Sequence, residues 1–112
     1  MKASDIALTI LPQDDRRKRR PVLILAQMPG FGDFLVCAIS TQLHQFTRGF
    51  DLILEKNDPS FSDTGLLENS LIRLSNLAII PGHNIIGVIG KLEITKFNFI
   101  ITNLTTHLLK RE

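Results

Sequence analysis

Ile6, Leu8 and Ile10 alternate with Ala7 and Thr9. A period of two marks a strand with one face in a core. Pro12, Gln13, Asp14 and Asp15 end that strand. After a basic run, Pro21 biases Arg20 toward an extended backbone, and residues 22–26 form an unbroken apolar strand. Residues 28–33, which hold Pro29, Gly30 and Gly32, read as a turn. Residues 34–40 make a third strand and residues 50–55 a fourth. The most polar stretch is 56–69, where Asn57-Asp58-Pro59-Ser60 and Asp63-Thr64-Gly65 signal loops. Residues 70–74 and 84–92 add two more short apolar strands.

The period then changes. Phe97, Ile100, Ile101, Leu104 and Leu108 fall at i, i+3, i+4, i+7 and i+11, one face of an amphipathic helix of about four turns. Lys96, Asn98, Asn103, Thr106 and Lys110 take the other side. Short strands followed by one closing helix predict a mainly β protein, a small barrel with a helix packed on it. The barrel is expected over about 4–92 and the helix over about 93–110, as a single domain.

The chain has 112 residues, of which 44% are hydrophobic and 21% charged. That suffices for one core and is too short for two. The single cysteine, Cys37, sits in an apolar run. It cannot form an internal disulfide and reads as a small core residue rather than a nucleophile. The N-terminal apolar stretch is broken by Asp5 and Thr9, unlike a signal peptide. Residues 77–90 are interrupted by Pro81, His83 and Asn84 and are too short for a bilayer span. These features predict a cytoplasmic chain without a membrane partner.

Charge adds a candidate surface. The formal net charge is only +2, yet Arg16, Arg17, Lys18, Arg19 and Arg20 are consecutive. Such a run is either a solvated loop or a seat for phosphates. No CxxC or HExxH occurs, and His44, His83 and His107 are far apart, so neither a metal nor another cofactor is expected. Gly87 to Lys91 lacks the spacing of a P-loop. Two polar groups remain at strand ends: Lys18-Arg19-Arg20 before one apolar strand, and Ser40-Thr41-Gln42 after another. Arginine presents a planar fork of donors that fits phosphate oxygens, and hydroxyl and amide groups can complete such a pocket. Read blandly, the second group only makes local backbone bonds at a strand end.

At these segments the sequence resembles the MazF/PemK toxins. Lys18-Arg19-Arg20-Pro21-Val22-Leu23-Ile24-Leu25 is similar to the family's K-x-R-P-hydrophobic segment. Ser4-Asp5-Ile6 resembles its opening G-D-I, and Cys37-Ala38-Ile39-Ser40-Thr41-Gln42 its strand ending in Ile-Thr/Ser-x-Gln. Asp63-Thr64-Gly65-Leu66 through Ser70-Leu71-Ile72-Arg73-Leu74 resembles the G-L-x-x-x-S block, and Ile86 through Leu92 the final G-x-I-G-x-L strand. The matches run in order along the chain.

The resemblance implies an SH3-like barrel of the MazF/PemK/CcdB type with a C-terminal helix, assembled as a homodimer. It implies metal-free cleavage of single-stranded RNA by attack of the ribose 2′-hydroxyl, and a cognate antitoxin protein as partner. The catalytic arginine falls on Arg20 and the catalytic hydroxyl on Ser40, with Lys18, Arg19, Thr41 and Gln42 as RNA contacts. An arginine stays protonated and is a poor general base. His44 is the nearby side chain with a suitable pKa, and reads either as proton acceptor or as a solvated loop histidine. The family's downstream RNA-contacting arginine has no match in Ser75-Asn76-Leu77-Ala78; either Arg73 replaces it or the contact is absent. The alternative reading is a non-enzymatic toxin or degenerate homologue that binds a protein or RNA without cutting.

Overall fold

The computed structural model describes residues 1–10 and 18–111. The turn residues Pro12 to Asp15 and the basic residues Arg16 and Arg17 lie outside that range. Among the described residues six strands form one antiparallel sheet: β1 (Asp5–Ile10), β2 (Arg19–Gln27), β3 (Asp33–Ser40), β4 (Leu52–Leu54), β5 (Ser70–Pro81) and β6 (Ile85–Lys91). The helix α1 covers Ile94–Leu109. The sheet order is β4-β5-β3-β2-β1-β6, so the long strand β5 pairs with β3 and the short β4 lies outside it.

Apolar side chains pack on both faces of the curled sheet. On the helix side, Ile6, Leu23, Leu25, Cys37, Ile39, Ile72 and Leu74 meet Phe97, Ile100 and Leu104 of α1. On the other side, Ala7, Val22, Ile24, Phe34, Val36 and Ile80 form a smaller cluster. Ala7 and Thr9 are therefore as buried as Ile6. A half-buried strand was the expectation for β1; the coiling of the sheet instead buries both faces. Each fully buried aliphatic side chain contributes about 1.5–3 kcal/mol.

Glycine seals the barrel between β6 and the 3-10 helix Phe61–Thr64. A Cβ built on Gly90 would lie 2.3 Å from the Asp63 carbonyl oxygen, and one on Gly65 would lie 2.2 Å from that of Ile89. Gly65 also has a φ of 73°, which other residues rarely adopt. Buried Thr64 fixes the same corner: its hydroxyl donates to the Phe61 carbonyl at 2.6 Å and accepts the Leu66 N–H at 3.1 Å.

The helix begins as a capped element. The Glu93 carboxylate accepts the Lys96 N–H at 3.0 Å, which satisfies one of the open donors of the first turn. The Thr95 hydroxyl, then that N–H, hold the Glu93 carboxyl below its usual value. Lys96 Nζ also pairs with Asp58 at 2.9 Å, tying the helix start to the long 56–69 segment. That side chain, followed by Ser60, lowers the Asp58 pKa to about 2. The sequence pattern puts Leu108 on the buried face, but it is 64% exposed: burial along that face ends at Leu104.

Two outcomes are expected. Gly90→Ala drives a methyl into backbone, which no rotamer change relieves, and should cost at least about 2 kcal/mol in denaturant unfolding. The Asp58 carboxyl is depressed in the folded state, so its contribution is present above the unfolded value near pH 4 and is lost as pH falls toward about 2. Thermal scans between about pH 5 and pH 2 should show a smaller acid-induced drop in Tm for Asp58→Asn than for the wild type.

Candidate active site

Antiparallel pairing brings the two polar strand ends together. Val22 faces Ala38 across β2 and β3, and continuing that register outward sets Arg20 opposite Ser40. Arg20 pairs on its other side with Thr9 of β1, and Ser40 with Leu71 of β5. Both residues stand at one end of the sheet and are half-buried.

They line a cleft of about 290 Å³. Arg19, Thr41 and Gln42 join them, with Ser70 and Asn76 from β5, over Pro21, Ala38 and Ile39. Among these lining residues there are two arginines and no carboxylate, so the cleft favours an anion. Ser40 Oγ accepts the Gln42 N–H at 2.9 Å. The hydroxyl is thereby oriented by a local turn, and its hydrogen remains to donate. The hydroxyl of Ser70 is engaged locally, donating to the Glu68 carbonyl at 2.7 Å.

Asn76 reaches the cleft because β5 is irregular. Cys37 pairs with Leu77 and the next residue, Ala38, with Arg73, so Leu74, Ser75 and Asn76 bulge out of register. The buried Asp51 carboxylate holds the bulge, accepting the Leu74 N–H at 3.0 Å and the Thr47 N–H at 2.9 Å. Burial, then the Asp51 charge, pushes the Cys37 thiol up. Cys37 is fully buried and protonated, a core residue rather than a nucleophile.

A model of the PemK-like, MazF-like toxins of type II toxin–antitoxin systems matches residues 2–108. The chain belongs to this family. Solved structures agree in fold. The Mycobacterium tuberculosis toxin MazF-mt6 superposes with a TM-score of 0.68 at 21% identity, covering 96% of this chain and 99% of that one. An endoribonuclease in complex with its cognate antitoxin, from a mycobacterial species, superposes with a TM-score of 0.70 at 16% identity, covering 100% and 99%. No curated protein sequence matches.

Of the residues singled out in this toxin's sequence, Arg19, Arg20, Ser40, Thr41 and Gln42 converge on the cleft. Lys18 is exposed and is not among the lining residues. His44 is exposed on the 3-10 turn Leu43–Gln45, also outside the lining. Arg73 turns a guanidinium nitrogen toward Gln45 Oε1 at 3.3 Å, tethering that turn to β5. Ser70 and Asn76 were not anticipated. The signal for Asn76 was the polar pair Ser75-Asn76 inside an otherwise apolar stretch, where strand alternation breaks. Among the described residues, no group of three or more histidines, cysteines or carboxylates is arranged around a metal position, and no helix is long and apolar enough to cross a membrane.

Removing the Asp51 carboxylate strands two amide donors. Asp51→Ala should therefore cost about 2–4 kcal/mol in chemical denaturation. Hydrogen exchange at Leu74 and Thr47 should accelerate more than in the rest of β5.

Proposed function

We propose that this toxin is an endoribonuclease that cuts single-stranded RNA at the cleft between Arg20 and Ser40. The observation that supports it is the convergence of a permanent cation and an oriented hydroxyl in a cleft that, among the described residues, is lined without carboxylates. The ribose 2′-hydroxyl attacks the adjacent phosphorus and the bond to the 5′-oxygen breaks. The ends are a 2′,3′-cyclic phosphate and a 5′-hydroxyl. Negative charge grows on the non-bridging oxygens in the transition state. Arg20 stabilises it with fixed donors, and Ser40 donates its hydroxyl hydrogen to one of those oxygens.

Arg20 stays protonated and stabilises charge rather than taking the proton. The 2′-hydroxyl proton leaves to water, and the departing 5′-oxygen gains one from water. His44 is the side chain to test as an alternative acceptor. Thr41, Gln42 and Asn76 offer hydroxyl and amide groups to flanking nucleotides, with Arg19 and, at the cleft edge, Lys18 for phosphates. Asn76 occupies the stretch where the resemblance calls for an RNA-contacting arginine, and is the amide replacement for it. Arg73 acts on RNA indirectly, through the Gln45 turn.

The neighbour solved with its cognate antitoxin supports a protein antitoxin as partner of this chain. Exposed Ile86 and Val88 on the outermost strand β6 offer apolar surface to a second copy in a two-fold dimer.

The test is incubation with mixed single-stranded RNA in EDTA, followed by mapping of the ends. Wild type should give discrete cuts with cyclic-phosphate and 5′-hydroxyl ends. Arg20→Ala and Ser40→Ala should each lose about 10²-fold or more in rate, and Ser40→Thr should retain most of it. Clean wild-type protein that binds RNA but leaves it uncut would favour the degenerate homologue instead.

A further inference from the structure

A second polar hollow, of about 440 Å³, opens between residues 47–50, Ser75 of the β5 bulge and the C-terminal turns of α1. Arg48, His107 and Lys110 line it, and among the described residues no carboxylate does. Lys110 alone would be an ordinary counter-charge to a helix C-terminus. Arg48 comes from a separate element across the hollow, and a helix dipole gives no reason for it to face the same space. The walls are fixed. Asn103 Nδ2 donates to the Phe50 carbonyl at 3.0 Å, and the Phe50 ring lies 5.2 Å from that of His107.

This hollow and the catalytic cleft back onto one bulge. Ser75 lines the first and Asn76 the second, and consecutive Cα atoms are only about 3.8 Å apart. The chain also links them directly. Thr41 and Gln42 border the cleft, the turn tethered by Arg73 follows, and Arg48 comes next. The two sites therefore share one wall, the Ser75–Asn76 bulge.

We propose that the hollow is a phosphate subsite for the RNA strand cut between Arg20 and Ser40, taking a backbone phosphate a few nucleotides from the scissile one. The inference rests on the RNA-cutting reading above. Its energy is chiefly counterion release, so its signature is salt dependence.

The experiment measures binding of a labelled single-stranded 2′-O-methyl RNA, which cannot be cut, across a range of salt. The variants are Arg48→Gln/Lys110→Gln and the charge-conserving Arg48→Lys/Lys110→Arg. The neutral variant should bind about ten-fold more weakly at low salt, with the slope of log affinity against log salt reduced by roughly one. The charge-conserving variant should keep the wild-type slope. An unchanged slope in the neutral variant overturns the subsite while leaving the cleft reading intact. So does equal weakening in both variants, which would mean lost packing rather than lost charge. An Asp/Glu-rich peptide that depends on Arg48 and Lys110 when the RNA slope does not would also overturn it, giving the hollow to an acidic protein segment. Wild-type protein that binds no RNA at any salt sinks the cutting reading first, and this inference with it.

Discussion

The Asp51 carboxylate is 3% exposed, and taking an ion out of water costs several kcal/mol unless hydrogen bonds replace the lost hydration. Two backbone amides do so here, Thr47 on one side and Leu74 on the other. One buried charge thus holds the loop before β4 and the irregular turn of β5 against each other. The bulge that results turns neighbouring residues to opposite uses: Asn76 faces the cleft with Arg20 and Ser40, and Ser75 faces the basic hollow at the end of α1. A regular strand would alternate the same residues without lifting them out of register with β3.

Closure of the barrel rests on a different constraint, the absence of side chains at Gly65 and Gly90. Backbone lies against backbone there, which lets the Phe61–Thr64 helix cover β6 without a strand to pair with it. The Lys96–Asp58 pair then links that polar segment to the start of α1. Gly65 shares a neighbouring hollow with Pro21 and Thr41, which also line the cleft. The proposed cutting reaction needs fixed donors, because donors that must reorganise give back much of what they gain.

Charge is distributed to match. A net charge of +2 is modest, yet among the described residues the cleft and the hollow each gather cations without a lining carboxylate. Three described acidic residues work elsewhere: Asp51 in the bulge, Glu93 at the helix cap, Asp58 on Lys96. Segregation of this kind produces a local attraction for phosphates that the whole-chain balance conceals.

By itself the sequence determined the mainly β class, the closing helix, most strand positions and the two polar groups at strand ends that hold Arg20 and Ser40. Those depend on local periodicity and on residue types at strand ends, which a linear pattern records. The tertiary structure alone decided the rest. β5 runs to Pro81 rather than stopping near Leu74, because a buried carboxylate distant in sequence stabilises a bulge that breaks the alternation. β4 is confined to Leu52–Leu54, since Asp51 is taken up by that bulge. Ala7 and Thr9 are buried because the sheet curls, and Leu108 is exposed because burial along α1 ends at Leu104. Asn76, Ser70 and the basic hollow combine residues from elements far apart along the chain. Only folding brings such groups together, so no spacing in the sequence announces them.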